Sequence, residues 1–137
     1  MDFSGQVCIV TGAGSGIGCE IAKRLAIGGA AVIVNDVDPS LAEKVANDIM
    51  DDDGVCVAMP GDASDADFIN KMVQTAVYRF GKLDITIANA GITLFESFLD
   101  YKAESLERVM RLNLGGSFLL AQASARQMKA QGKGGSI

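Results

Sequence analysis

Short, uninterrupted apolar runs alternate along this chain with longer stretches in which apolar residues return every three or four positions. The runs are Val7-Cys8-Ile9-Val10, Ala31-Val32-Ile33-Val34, Val55-Cys56-Val57-Ala58-Met59 and Ile85-Thr86-Ile87-Ala88. Lacking the polar alternation of a half-exposed strand, they predict strands covered on both faces. After the first run, Ile17, Ile21, Ala22 and Leu25 keep helical spacing as far as a stop at Gly28-Gly29. Pro39 suits the start of a second helix, with the stripe Leu41, Val45 and Ile49 ending at Asp51-Asp52-Asp53-Gly54. Ser64 or Asp65 can cap a third, which carries Phe68, Ile69, Met72, Val73, Ala76 and Val77 up to Gly81. Beyond an irregular stretch from Gly91 to Tyr101, a long helical pattern runs from about Ala103 to Lys129, interrupted at Gly115-Gly116. Ser136-Ile137 reads as the opening of a fifth strand. Strands alternating with helices predict βαβ units, hence an α/β fold with a doubly wound parallel sheet and ligands outside the carboxyl ends of its strands.

Composition narrows the chemistry. The 137 residues, 49% apolar and 21% charged, suit one globular domain over 1–137, since such a chain removes roughly 70% of its unfolded surface from water without disulfides or metals. With 12 Lys+Arg against 17 Asp+Glu the formal charge is -5, which argues against nucleic acid as a partner. Histidine is absent, so imidazole bases, His-metal sites and Ser-His-Asp triads are excluded within this chain. Cys8, Cys19 and Cys56 form no CxxC pair and read as reduced core thiols, and no metal site is expected. No apolar run reaches the roughly 18 residues of a membrane helix, and Met1-Asp2-Phe3-Ser4-Gly5 does not open a signal peptide, so the expected location is cytoplasmic.

The segment TGAGSGIG, Thr11 to Gly18, falls between the first strand and first helix, where helix N–H groups can meet an anion. Gly12, Gly16 and Gly18 give GxxxGxG spacing, whereas GxGxxG fails because Ile17 and Cys19 fall on the required third positions. A strand before, a helix after and Asp36 at the end of the second strand form the context a dinucleotide turn needs; without it these glycines would signify only a tight turn. A Walker loop is excluded because Cys19-Glu20 follows Gly18 in place of Lys-Ser/Thr. An S-adenosylmethionine-dependent methyltransferase is a rival that uses a similar turn and acid, usually with an acidic residue where Thr11 stands.

TGAGSGIG, Gly61-Asp62-Ala63 after the third strand, Ala88-Asn89-Ala90-Gly91 after the fourth and Asn113 in the long helix together resemble the classical short-chain dehydrogenase/reductases. The likeness covers about Gly5 to Ile137 and corresponds to the family's N-terminal, cofactor-binding half. It implies a Rossmann sheet of three αβα layers, cut at the start of strand five, in which Gly12, Ser15, Gly16, Ile17 and Gly18 hold the pyrophosphate and adjoining ribose. It further implies that Asp62 accepts from the adenine amino group beside Ala63, and that Asn89, Ala90 and Gly91 shape the cofactor floor. Asn113 would take a catalytic part, a helix break there freeing a carbonyl for a relay water; as a residue alone, it could equally face solvent. Asp62 could also be a plain turn residue, and Asn89 could serve only neighbouring backbone.

Asp36 can accept from a ribose diol and would repel a 2′-phosphate, and no Lys or Arg precedes Lys23, so the cofactor reads as NAD. The expected activity is hydride transfer between NAD and an alcohol or carbonyl substrate. The resembling family takes the hydroxyl proton with a Tyr-xxx-Lys pair, a Ser preceding it, beyond strand five. Within this chain only Tyr78 and Lys82 have that spacing, and Gly81 separates them as a helix stop, so this 137-residue chain alone is expected to be inactive. The alternative is a non-catalytic dinucleotide-binding or interaction module that docks on full-length subunits. The apolar residues of the long helix, 103–129, spread around more of its circumference than one sheet covers, which predicts a homo-oligomer formed through it.

Overall fold

The structure, a computed structural model, describes residues 2–137. Four parallel strands, Val7–Val10 (β1), Ala31–Val34 (β2), Val55–Ala58 (β3) and Ile85–Ile87 (β4), form a sheet in the order β3-β2-β1-β4. Val7 pairs with Ala31 and Cys8 with Ile85, so β1 is the central strand between neighbours on both sides. Helices Gly16–Ile27 (α1), Pro39–Asp51 (α2) and Ala66–Phe80 (α3) are the crossovers. Met59 and Ala88, both read as strand from their apolar character, lie just past the ends of β3 and β4.

Each strand sends alternate side chains to opposite faces. Cys8, Val10, Val32 and Val34 meet Ala22, Leu25, Val45 and Ile49 from α1 and α2. Val7, Ile9 and Ile33 meet Ile69, Met72 and Ala76 from α3 together with Leu120 and Met128 from the long helix. Two cores, one on each face, are what the unbroken apolar runs require. Cys8 and Cys56 lie in the first core, where burial pushes both thiols up to about 12, so they are apolar filling at neutral pH. Cys19 is half-buried, and all three are free.

The three crossover helices start differently. Asp38 caps α2, its carboxylate accepting from Ser40 N–H at 2.9 Å, and Asp65 caps α3, accepting from Phe68 N–H at 2.7 Å. Ser64, the other sequence candidate, is engaged elsewhere. At α1 the Ser15 side chain makes no cap bond, and the first turn carries no acid.

The long helical pattern is Ala103–Met110 (α4), a π-helical turn at Arg111–Gly116, and Ser117–Ala130 (α5). The predicted interruption is thus a wide turn that begins ahead of the glycines, contains Asn113 and keeps the helix continuous. Lys102 begins α4 without a side-chain cap; Glu96 supplies one from outside, accepting from Lys102 N–H at 3.2 Å and from the Ser105 hydroxyl at 2.9 Å. Ser136 bridges Ile85 in parallel, the first rung of the expected fifth strand. No helix of the described residues is long and apolar enough to cross a membrane.

Candidate functional site

The chain leaves β1 toward β2 and β3, then returns to pair β4 on the other side of β1. Loops diverge at such a switch point and open a crevice at the carboxyl ends of the strands. Here the crevice is a cleft of about 370 Å³, whose walls include Gly12, Ser15, Asp36, Asp62, Ala63, Asn89, Ala90 and Gly91. Segments read separately along the sequence therefore meet in one place.

Thr11 and Asn89 hold the two central loops together. The Thr11 hydroxyl oxygen accepts from the backbone N–H of Asn89 at 3.2 Å and of Ala90 at 3.1 Å, and the Asn89 amide donates to the carbonyls of Thr11 and Gly12, both at 3.0 Å. Asn89 serves backbone, as one sequence reading held, but backbone from the other loop. Gly12 adopts φ +61, and a Cβ there would stand 2.8 Å from Ala90 Cα. At Gly18 a Cβ would run into the Gly12 carbonyl and the Asn89 amide, so this buried glycine lets α1 start against the turn. Gly16 and Ile17 are exposed, and with Gly18 they stand outside the cleft wall.

Gly14 falls outside the GxxxGxG pattern, yet its N–H donates to Asp36 Oδ2 at 2.9 Å, and a Cβ there would meet that oxygen at 2.7 Å. The other carboxylate oxygen accepts from Asp38 N–H at 3.1 Å. Asp36 is thereby fixed at the cleft with acceptor capacity left on both oxygens. Asn35, buried just before it, donates to the carbonyls of Met59 and Gly61 at 2.9 and 3.0 Å, binding the end of β2 to the turn after β3. Its Oδ1 is buried without a partner among the described residues. Replacing Asn35 by Ala strands two carbonyls and is expected to lower unfolding free energy by about 1 to 3 kcal/mol in urea titrations; unchanged stability would show that Asn35 does not clamp the two segments.

Asp62 is more than a turn residue. Its Oδ1 accepts from Ser64 N–H at 2.8 Å and from the Ser64 hydroxyl at 2.6 Å, while Oδ2 accepts from Arg111 Nη2 at 2.8 Å. The Ser64 hydroxyl first, then Ser64 N–H and the guanidinium, hold its carboxyl below the usual range against the opposing effect of burial. Asn113 is exposed but not free: its Oδ1 accepts from Ile92 N–H and its Nδ2 donates to the Ile92 carbonyl, both at 2.9 Å. It stands behind Gly91 rather than in the cleft wall.

Sequence reasoning missed Asn35, Val37, Ser64, Ile92, Arg108, Arg111 and Leu112, all on the cleft wall. Arg108 and Arg111 carry the largest correction, since two cations stand in a site read as purely acidic. Their separation of three positions, one helical face, is the signal that was present. Tyr78 projects into solvent from α3, while Lys82, beyond the left-handed Gly81, pairs with Asp84 at 2.9 Å. That spacing match places neither residue in the cleft. Among the described residues no group of three or more Cys, Asp or Glu could hold a metal ion.

A doubly wound parallel sheet with a glycine turn and a tethered acid at its switch point defines a Rossmann-type α/β protein. The chain belongs to the short chain dehydrogenase family, whose model matches residues 6–137. It is 38% identical over 139 residues to L-rhamnose-1-dehydrogenase of Scheffersomyces stipitis, covering 98% of this chain and 54% of that protein. It is 41% identical over 136 residues to L-rhamnose 1-dehydrogenase (NAD(P)(+)) of Azotobacter vinelandii, covering 96% and 53%. The chain thus spans about half the length of the curated relatives it matches. A short-chain type dehydrogenase/reductase from Mycobacterium marinum superposes with a TM-score of 0.94 at 35% identity, covering 98% of this chain and 54% of that one.

Proposed function

We propose that residues 1–137 form an NAD-binding unit of a cytoplasmic oxidoreductase acting on an alcohol or carbonyl substrate. The observation that carries this reading is the convergence of Gly12 and Ser15 of the glycine turn, Asp36, Asp62-Ala63 and Asn89-Ala90-Gly91 on one crevice. The residues fit a dinucleotide. The start of α1 has no side-chain cap, unlike α2 and α3, and no acid in its first turn, so its N–H groups are available to a pyrophosphate. Gly12, Gly14 and Gly18 let the turn pack against Ala90, Asp36 and its own Gly12 carbonyl, where a Cβ would clash, and so set the shape of the turn that meets the pyrophosphate. Asp36 would accept from the adenosine ribose, and Asp62 with Ala63 would flank the base.

NAD, when bound, supplies the hydride acceptor, and NADH the donor. Around it, the Thr11–Asn89 ties set the floor under the nicotinamide side, and Asn113 clamps the π-helical turn to Ile92. We assign Asn113 a part in the proton relay on that basis: a wide turn loosens the regular helical bonding, and the two-way amide clasp fixes where its carbonyls lie.

Calorimetric titration with NAD, NADP and S-adenosylmethionine tests the reading; binding of S-adenosylmethionine in place of NAD would revive the methyltransferase. The 137-residue chain assayed alone with NAD and secondary alcohols is expected to yield no NADH above blank, because no proton-transferring tyrosine of its own reaches the cleft. Turnover abolished by Tyr78→Phe would overturn that. Cofactor binding without turnover, even when paired with a longer subunit, would favour the interaction-module reading.

A further inference from the structure

We infer that Arg111 is an adenine-recognition residue, its guanidinium pinned by Asp62 so that its plane receives the base. The inference rests on the NAD-binding reading and deepens it. A carboxylate offers about four acceptor sites, and at Asp62 Ser64 occupies two on Oδ1 while Arg111 occupies one on Oδ2. The site left for an adenine amino group is on the oxygen that already holds the guanidinium, so a base engaged by Asp62 lies directly beside Arg111.

The Arg111 side chain is 70% exposed, and among the described residues Asp62 is its one ion-pair partner. Most of the side chain, with N–H groups left over from the ion pair, is therefore accessible at the cleft that it lines. Val37, 73% exposed, lines the same cleft from the loop after β2 and gives the slot an apolar surface. An aliphatic side chain and a planar, weakly hydrated cation suit a flat uncharged ring. Lysine could replace the charge but not the plane. Arg108, one turn earlier on α4, makes no ion pair among the described residues and adds positive potential at this end of the cleft.

Titrating the protein with ADP-ribose, which lacks the nicotinamide, isolates this end of the site. Arg111→Ala is expected to weaken ADP-ribose binding about tenfold, 1.4 kcal/mol, with an unchanged thermal unfolding curve because the side chain is exposed. Arg111→Lys keeps the ion pair and should stay within about threefold of the alanine variant, since the stacking plane is lost. Wild-type affinity in Arg111→Lys would make Arg111 merely a charge partner of Asp62 and overturn the inference, as would wild-type affinity in Arg111→Ala. Should Arg111→Ala unfold, the lysine variant decides alone. Failure of the wild-type protein to bind both ADP-ribose and NAD is a different result, which removes the NAD reading and this inference with it.

Discussion

Asp36→Asn is expected to erase most of a preference for NAD over NADP that in the wild-type protein reaches at least about tenfold. The carboxylate accepts from Gly14 N–H at 2.9 Å and from Asp38 N–H at 3.1 Å, so it is held in place before any ligand arrives. A charged hydrogen bond of this kind is worth about 1.5 to 3 kcal/mol, and 1.4 kcal/mol is one decade in affinity. The same charge opposes a 2′-phosphate. Asp62, also an acid of the cleft, repels less than its charge suggests because Arg111 neutralises it, so discrimination falls on Asp36. Asparagine keeps the shape and an oxygen for Gly14 N–H, whereas alanine also releases the turn; NADP affinity should therefore rise more clearly in the asparagine variant. Calorimetry with both cofactors measures it. Equal affinity in the wild-type protein, or an unchanged ratio in Asp36→Asn, would show that the acid does not read the ribose.

The second large effect concerns the long helix. Leu106, Met110, Leu114 and Phe118 succeed one another at four-residue intervals and are 53%, 47%, 60% and 61% exposed. Phe95, Phe98 and Leu99 leave a further apolar surface in the preceding loop, each at least 90% exposed. Complete burial of a Leu, Met or Phe is worth about 1.5 to 3 kcal/mol, so a half-exposed row of four holds several kcal/mol that a partner surface can recover. Among the described residues Ser136 alone bridges the far edge of β4, which leaves other backbone groups of that edge unpaired. The chain is expected to sediment as a dimer or larger species at micromolar concentration and to bind a hydrophobic dye. Leu114→Lys with Phe118→Asp should weaken association at least tenfold, 1.4 kcal/mol. A sharp monomer with cooperative melting and no dye binding would mean that these side chains need no partner.

Much of the architecture is legible because it depends on local regularities. An apolar run with no polar alternation has to be covered on both sides, and β1 is buried along its whole length between two helical layers. Asp38 and Asp65 cap helices since their short carboxylates reach N–H groups two or three residues away, a distance set by the backbone alone. Asp36 was likewise legible as the acid at the end of the second strand.

Other features lay beyond any local pattern. The amide of Asn35 reaches carbonyls across the sheet, Gly14 is required by a carboxylate just past the next strand, and Arg111 meets Asp62 across 49 positions. Asn113 illustrates the difference: its polarity in mid-helix marks an irregularity, but only the folded chain shows a π-helical turn there with both amide atoms spent on Ile92. Periodicity and turn chemistry thus determined the strands, crossovers, helix caps and glycine turn, since each is a property of residues within one turn of their neighbours. The cleft's two arginines and the ties that rigidify its floor were decided by tertiary structure, because the rotation of a helix about its axis and the meeting of distant loops depend on packing across the whole sheet.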